Sequence, residues 1–188
     1  MTEARLACAC GQVQASLDLT AAKGECLICY CADCRRFALA HAGADHVLDA
    51  AGGTMLYHAR AGALHIRAGK DALCAVHMTD KPTLRWIAGC CNTPLFSTHA
   101  TGRVPYLSIV AATFDAQARA AIGPPVCSVW TSSATGTPEA PARPMPWAIA
   151  RIAGRIAADT LTGGRRKSPL FDARSLAPVV TPQRMADA

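Results

Sequence analysis

At 188 residues, half of them apolar, the chain is long enough for one domain with a hydrophobic core, and nothing in its length asks for two. The net charge of +6 belongs to the tail: residues 1–139 carry eleven Lys and Arg against ten Asp and Glu, residues 140–188 eight against three, so an acidic partner would be a matter for the tail alone. Absence of a run of about 18 apolar, uncharged residues argues against a membrane-spanning helix, and Cys8 and Cys10 arrive before the apolar core of a signal peptide could form, so a cytosolic (cytoplasmic) protein is expected.

Taken in order, Arg5 to Cys10 reads as a strand running into a turn, and Gln12 to Leu19 alternates polar and apolar residues as a half-buried strand does, giving a hairpin with Cys8-Ala9-Cys10-Gly11 at its tip. Cys26 to Tyr30 is a short strand. It delivers the densest cysteine cluster, and Asp33 to Ala42 offers about two helical turns. Strands are expected at Thr54–His58, Ala63–Arg67, Ala72–Met78 and Thr83–Ala88, then a cysteine-bearing turn at Gly89–Phe96, then strands at Pro105–Ala112 and Val126–Thr131. This rhythm is that of a mainly β, antiparallel domain over 1–135. Residues 136–188 read as a Pro-rich linker, an amphipathic helix opened by Pro146 and closed by Gly163-Gly164, and a disordered basic tail. Ile149, Ile152 and Ile156 form the apolar stripe of that helix, which would dock on the β domain or on a second copy of the chain, making a homo-oligomer.

The chain has ten cysteines. In a reducing compartment that number favours thiolate metal sites over disulfides, and four thiols between Cys26 and Cys34 are spaced as zinc ligands are. The six histidines show no paired-ligand pattern, and a structural or surface role is expected for each; His77 and His41 are the two to examine as proton carriers. Trp86 and Trp130 are expected as core anchors, Cys74 and Cys127 as core thiols.

Three groups in sequence, Cys8-x-Cys10-Gly11, Cys29-x-Cys31-x2-Cys34-Arg35-Arg36 and Cys91-Asn92-Thr93-Pro94-Leu95-Phe96, resemble the glutathione-dependent formaldehyde-activating enzyme family, which includes the centromere protein V group. The resemblance spans roughly Ala7 to Trp130 and implies an antiparallel Mss4-like β fold with zinc-binding turns. It also implies a catalytic zinc on Cys29, Cys31 and Cys34 with an open fourth position, and a structural zinc on Cys8, Cys10, Cys91 and one more thiol. The chain departs from the pattern at Ala88, where the family has that thiol; Cys90, Cys74 or a histidine would have to complete the set, failing which the site is an apolar cluster without metal. One zinc is thus expected, and a second if this site fills.

Cys26 is the second departure. Joining the central triad, it would close the site and make it structural; the odd offset from Cys29 along a strand favours the open alternative. The function implied is that of a carbon-sulfur lyase-like enzyme joining glutathione or a similar thiol to formaldehyde or another small aldehyde, with Arg35 and Arg36 holding substrate carboxylates or compensating the charge of the site. Nucleic acid is not an expected partner. The competing reading is a non-catalytic zinc module for a macromolecular partner. Thiol redox chemistry or metal buffering through Cys26 and Cys90 is less favoured, because no βαβ pattern suggests a thioredoxin fold.

Overall fold

The computed structural model describes residues 3–40 and 47–185. Within them the strands are β1 (Glu3–Ala7), β2 (Gln14–Asp18), β3 (Glu25–Cys29), β4 (Thr54–Arg60), β5 (Leu64–Ala68), β6 (Leu73–His77), β7 (Thr83–Ala88), β8 (Thr93–His99), β9 (Tyr106–Val110), β10 (Pro125–Val129) and β11 (Gln183–Arg184). The helices are α1 (Leu19–Ala22), α2 (Ala32–Leu39), α3 (Ala116–Ile122) and α4 (Met145–Leu161). Asp18 caps α1 and Asp115 caps α3, each side chain accepting from backbone N–H groups of the first turn. No helix among the described residues is long and apolar enough to cross a membrane.

The chain is mainly β, with two sheets. The smaller runs β1-β2-β5, wholly antiparallel; the larger runs β10-β3-β4-β9-β8-β7-β6-β11. A purely antiparallel sheet is not what forms, because β10 lies parallel to β3 and β11 parallel to β6. Each is reached by a connection that crosses the molecule, which local turn signals do not reveal.

Cross-strand pairing in the large sheet sorts side chains by face. Cys26, Tyr57, Ile109, Phe96, Trp86 and Ala75 stand directly opposite one another from β3 to β6. This apolar row faces the main core, which it shares with Leu6, Leu17 and Leu64 of the small sheet. One residue along each strand the side chains turn to the other face, and there the matching row is Glu25, His58, Ser108, Ser97, Arg85 and Val76. That second face carries its own smaller core, covered by Phe37 of α2 and Ala148 of α4. A buried row so polar is unusual for a sheet that a helix covers.

The C-terminal segment is built into the fold. Residues after β10 lie along it, with Ser128 N–H donating to Pro141 O at 2.8 Å and Arg143 N–H to Ser128 O at 2.9 Å. On α4 the inward residues are Met145, Ala148, Ile152 and Asp159, whereas Ile149 of the expected stripe is exposed. Asp159, which is not part of the expected apolar stripe, is buried against Arg60 at 2.7 Å. Beyond α4 the expected disorder is corrected as well: Leu170 and Phe171 enter the main core, the latter edge-on to Trp86, and β11 adds to the large sheet. Only residues 186–188 of that tail lie outside the described residues. Trp130 is no core anchor; it sits half exposed with φ at 58° where the chain leaves β10.

Candidate metal centre and adjoining cavity

β3 ends at Cys29 and α2 begins at Ala32, so the short connection holds Cys31 at the helix cap and Cys34 in its first turn. The three sulfurs lie within 4.8 Å of one another, Cys29 and Cys31 at 3.3 Å. Zinc–sulfur bonds of about 2.3 Å in a tetrahedron set sulfurs about 3.8 Å apart, so the triad needs only small adjustments to hold one ion. The Cys34 backbone N–H donates to Cys31 Sγ at 3.4 Å, and the helix N-terminus adds its positive end. Hydrogen bonds from the neighbouring thiols draw Cys31 down as a thiolate, whereas the bonds to Cys31 and Cys34, together with burial, push Cys29 up. Thiols packed this closely ionise together only when a cation neutralises them.

Cys26 does not join them. Its side chain lies on the opposite face, buried beside Tyr57, its thiol directed to Ile122 O at 3.8 Å and pushed up to about 12 by burial and by Glu25. The metal role entertained for Cys26 is therefore corrected: the central set is three sulfurs.

Cys8, Cys10, Cys90 and Cys91 form a second group, all four sulfurs within 4.8 Å. Cys10 lies 3.4 Å from Cys90, and Cys8 lies 3.6 Å from Cys10 and 3.8 Å from Cys90. These separations match the edges of a zinc–thiolate tetrahedron. Two turns bring them together: Gly11 takes φ 76° after the first pair and Asn92 takes φ 59° after the second. The Ala9 N–H donates to Thr93 Oγ1 at 3.0 Å, tying one turn to the other. Cys90 is thus the fourth thiol of this group, while Ala88 is buried on β7 and Cys74 stays outside the group beside Gly89. Burial opposes it, yet hydrogen bonds from Thr93 and from the Cys10 backbone draw Cys91 down to about 6. All ten cysteines are unbridged.

The triad opens onto a cavity of about 210 Å³ whose lining includes Cys29, Cys31 and Cys34 together with His58 and Tyr106, with Leu27, Leu56, Met145 and Ile152 among its apolar walls. A larger groove of about 690 Å³ runs beside β1 and β2 and contains no cysteine. Arg85 is the cation at the triad. It is buried, donates Nη2 to Cys34 Sγ at 3.6 Å and Nη1 to Ser97 Oγ at 2.6 Å, and stacks over the Phe37 ring at 5.1 Å. Arg35 and Arg36, the arginines the sequence singled out, are not among the cavity walls; Arg35 instead donates to the carbonyls of Gly52 and Ser133, fastening α2 to two loops.

His58 was not singled out by the sequence. Its imidazole is buried, and Nδ1 has no hydrogen-bond partner among the described residues; burial and the nearby Arg155 hold its pKa down to about 4, so it is neutral near pH 7. Tyr106 packs 5.5 Å from it, ring to ring, its phenol pushed up by burial. Of the expected proton carriers, His77 lies on β6 away from the cavity, paired in register with Arg184, and His41 lies outside the described residues, as does His46.

The sequence profile of a family described as "Family of unknown function (DUF6151)" matches residues 2–180. No curated protein matches the chain. Among solved structures, a Rhodobacter sphaeroides protein from a structural-genomics programme is 16% identical with a TM-score of 0.46, the alignment covering 64% of this chain and 96% of that one.

Proposed function

The chain belongs to DUF6151, a family of unknown function, and we propose that it is a zinc-dependent, carbon-sulfur lyase-like enzyme that joins glutathione or a similar thiol to a small aldehyde, or cleaves the adduct. The fold assignment that accompanies this reading is Mss4-like, carried by the cysteine motifs and their order. One observation carries the functional half: a set of three thiols, not four, faces a cavity. A four-sulfur site holds its metal closed and serves the fold, whereas a three-ligand site leaves a coordination position for a substrate atom. The second cluster, with four sulfurs and two of them exposed, suits the structural role.

Zinc at the triad would supply an acceptor for a soft sulfur ligand and lower the pKa of a substrate thiol. The protein's own groups do the rest. Cys29, Cys31 and Cys34 bring three negative charges, and Arg85 offsets part of that charge through Cys34. Helix α4 closes the apolar wall through Met145, Ala148 and Ile152, which keeps bulk water off the reacting atoms. In the reaction the thiol S–H bond breaks and an S–C bond forms. The carbonyl π pair moves to oxygen, which takes up the proton, so the hemithioacetal forms without any further reactant.

An assay of adduct formation from glutathione and formaldehyde, corrected for the uncatalysed reaction, tests this. The wild-type protein loaded with zinc is expected to accelerate the reaction and Cys31→Ser to abolish the acceleration. A Cys31→Ser variant as fast as wild type would overturn the catalytic reading in favour of a non-catalytic zinc module.

A further inference from the structure

Trp130 serves neither the fold nor the reaction proposed above. The chain leaves β10 there with φ at 58° and ψ at 36°, a left-handed conformation that glycine takes freely and a residue with a β-carbon takes at a cost. The position nevertheless carries the bulkiest of side chains, 51% exposed and outside the apolar cores. Strained residues of this kind gather at sites that grip a ligand.

Register fixes where the residue lies. Val129 stands opposite Cys29 in the parallel pairing of β10 with β3, and the Tyr30 N–H donates to Val129 O at 3.1 Å. Trp130 therefore flanks the connection from Tyr30 to Cys31 at one strand spacing, about 5 Å. Ser133 closes the turn that Trp130 opens, its N–H donating to Trp130 O at 3.0 Å, and Arg35 of α2 donates to Ser133 O. The loop of the indole and the helix of Cys34 are thus fastened together.

The indole lines the same cavity as the three thiols, and Trp130 is the one exposed residue among the cavity walls. Cys31 is partly exposed whereas Cys29 and Cys34 are buried, so the way from solvent to the sulfurs passes Cys31 and Trp130. A volume of about 210 Å³ lies below the about 300–1,000 Å³ of pockets that enclose drug-sized ligands. A peptide thiol places its sulfur and nearest carbons inside, and the rest of it crosses the opening.

We infer that Trp130 is a specificity-determining residue, its indole the platform on which the chain of a peptide-sized thiol lies while the sulfur enters the triad. A rigid ring with two torsions offers a large contact area at small entropic cost. The inference rests on the proposed thiol chemistry and adds the feature that selects among thiols.

Calorimetry on the zinc-loaded full chain tests it, with glutathione and 2-mercaptoethanol as probes. Both bring the same donor atom to the triad, and only glutathione extends past the opening. The wild-type protein is expected to bind glutathione about tenfold more tightly, a preference that about 55 Å² of apolar contact supplies. Trp130→Gly, which suits the left-handed backbone, should lose this preference and keep its affinity for 2-mercaptoethanol, while Trp130→Phe should keep part of it. No preference in the wild type, or an unchanged preference in Trp130→Gly, would overturn the platform. Equal losses for both thiols would overturn it too, because the ring would then only support the triad. A second measurement needs no variant: Trp86 is buried and Trp147 partly so, which leaves Trp130 as the most accessible of the three tryptophans. Saturating glutathione should therefore reduce acrylamide quenching of the wild-type fluorescence, and unchanged quenching would overturn the platform. Binding of no thiol at all would overturn the thiol chemistry and the platform together, a result distinct from the others.

Discussion

Arg85 reaches across from β7 to Cys34 on α2, its guanidinium 3.6 Å from the sulfur and its other arm on Ser97. It is buried, and the neighbouring thiols raise its pKa against the effect of burial, so it is a permanent cation beside the triad. Outer partners of metal ligands typically carry a 10–100-fold effect on metal affinity. Arg85→Met should therefore weaken metal binding at the triad by about that factor, while the Cys8 cluster retains its affinity as an internal control. Arg85→Lys should not restore it, because a lysine cannot serve Cys34, Ser97 and the Phe37 face at once. Competition with a chromophoric chelator reads both sites.

Two separated cysteine groups predict two metal equivalents per chain. Cys31→Ser and Cys90→Ser should each remove one; Cys26→Ala should remove none, since its sulfur belongs to the other face of β3. The stability effects should differ. Cys90 links the β7–β8 turn to the β1–β2 hairpin, distant segments whose cross-link by metal contributes folding free energy. Metal analysis with thermal melts checks both, and a Cys26→Ala protein lacking one equivalent would contradict the three-sulfur triad.

Strand positions and the central cysteine group were legible because their signals are local, period-two alternation from Gln12 and close thiol spacing, whereas the grouping of Cys8 and Cys10 with Cys91 came only from the family resemblance, which left the fourth member open. The separation of Cys26 from the triad followed from one parity argument, that Cys26 and Cys29 face opposite ways. What escaped reading depends on register across strands far apart in sequence. Nothing near His58 marks it as a cavity-lining residue; it shares a polar row with Glu25, Ser108, Ser97 and Arg85, aligned through four pairings. The parallel pairing of β10, the strand β11 and the buried Asp159 escaped for the same reason. Each is fixed by a partner roughly a hundred residues away.

Glu25 should act as the latch of α4. It receives Arg151 Nε at 2.6 Å and Arg155 Nη2 at 2.9 Å, and these bonds hold its carboxyl below the ordinary range although burial alone would raise it. A carboxylate with a lowered folded pKa contributes stability above its unfolded pKa and loses it as pH falls through the folded value. Glu25→Gln is expected to destabilise the protein by about 1–3 kcal/mol, between the values for exposed and buried pairs. It should also loosen the wall formed by Met145 and Ile152. Hydrogen exchange localised to α4 should rise; unchanged protection there would show that the helix is held by its apolar contacts alone.

His58 makes a pH prediction whose sign can be worked out. Its imidazole titrates at about 4 in the folded protein, against about 6.5 when exposed, chiefly because it is buried. The groups around it are Glu25 on β3, Tyr106 on β9 and Arg155 on α4; Arg155 lowers the value further and Glu25 acts in the opposite direction. Between these pH values the unfolded chain binds a proton that the folded chain refuses. Stability attributable to His58 is thus complete above pH 6.5, falls as pH drops towards 4 and is level below it. Cysteine protonation and metal loss occur in the same range, so the useful quantity is the difference between wild type and variant. From pH 7 to pH 4.5 the stability of wild type relative to His58→Phe should fall by about 2–3 kcal/mol, the size of a shift of this magnitude. Denaturant unfolding at both pH values measures it. Parallel profiles for the two proteins would mean that the imidazole takes up its proton in the fold as readily as in the unfolded chain, and that burial does not lower its pKa.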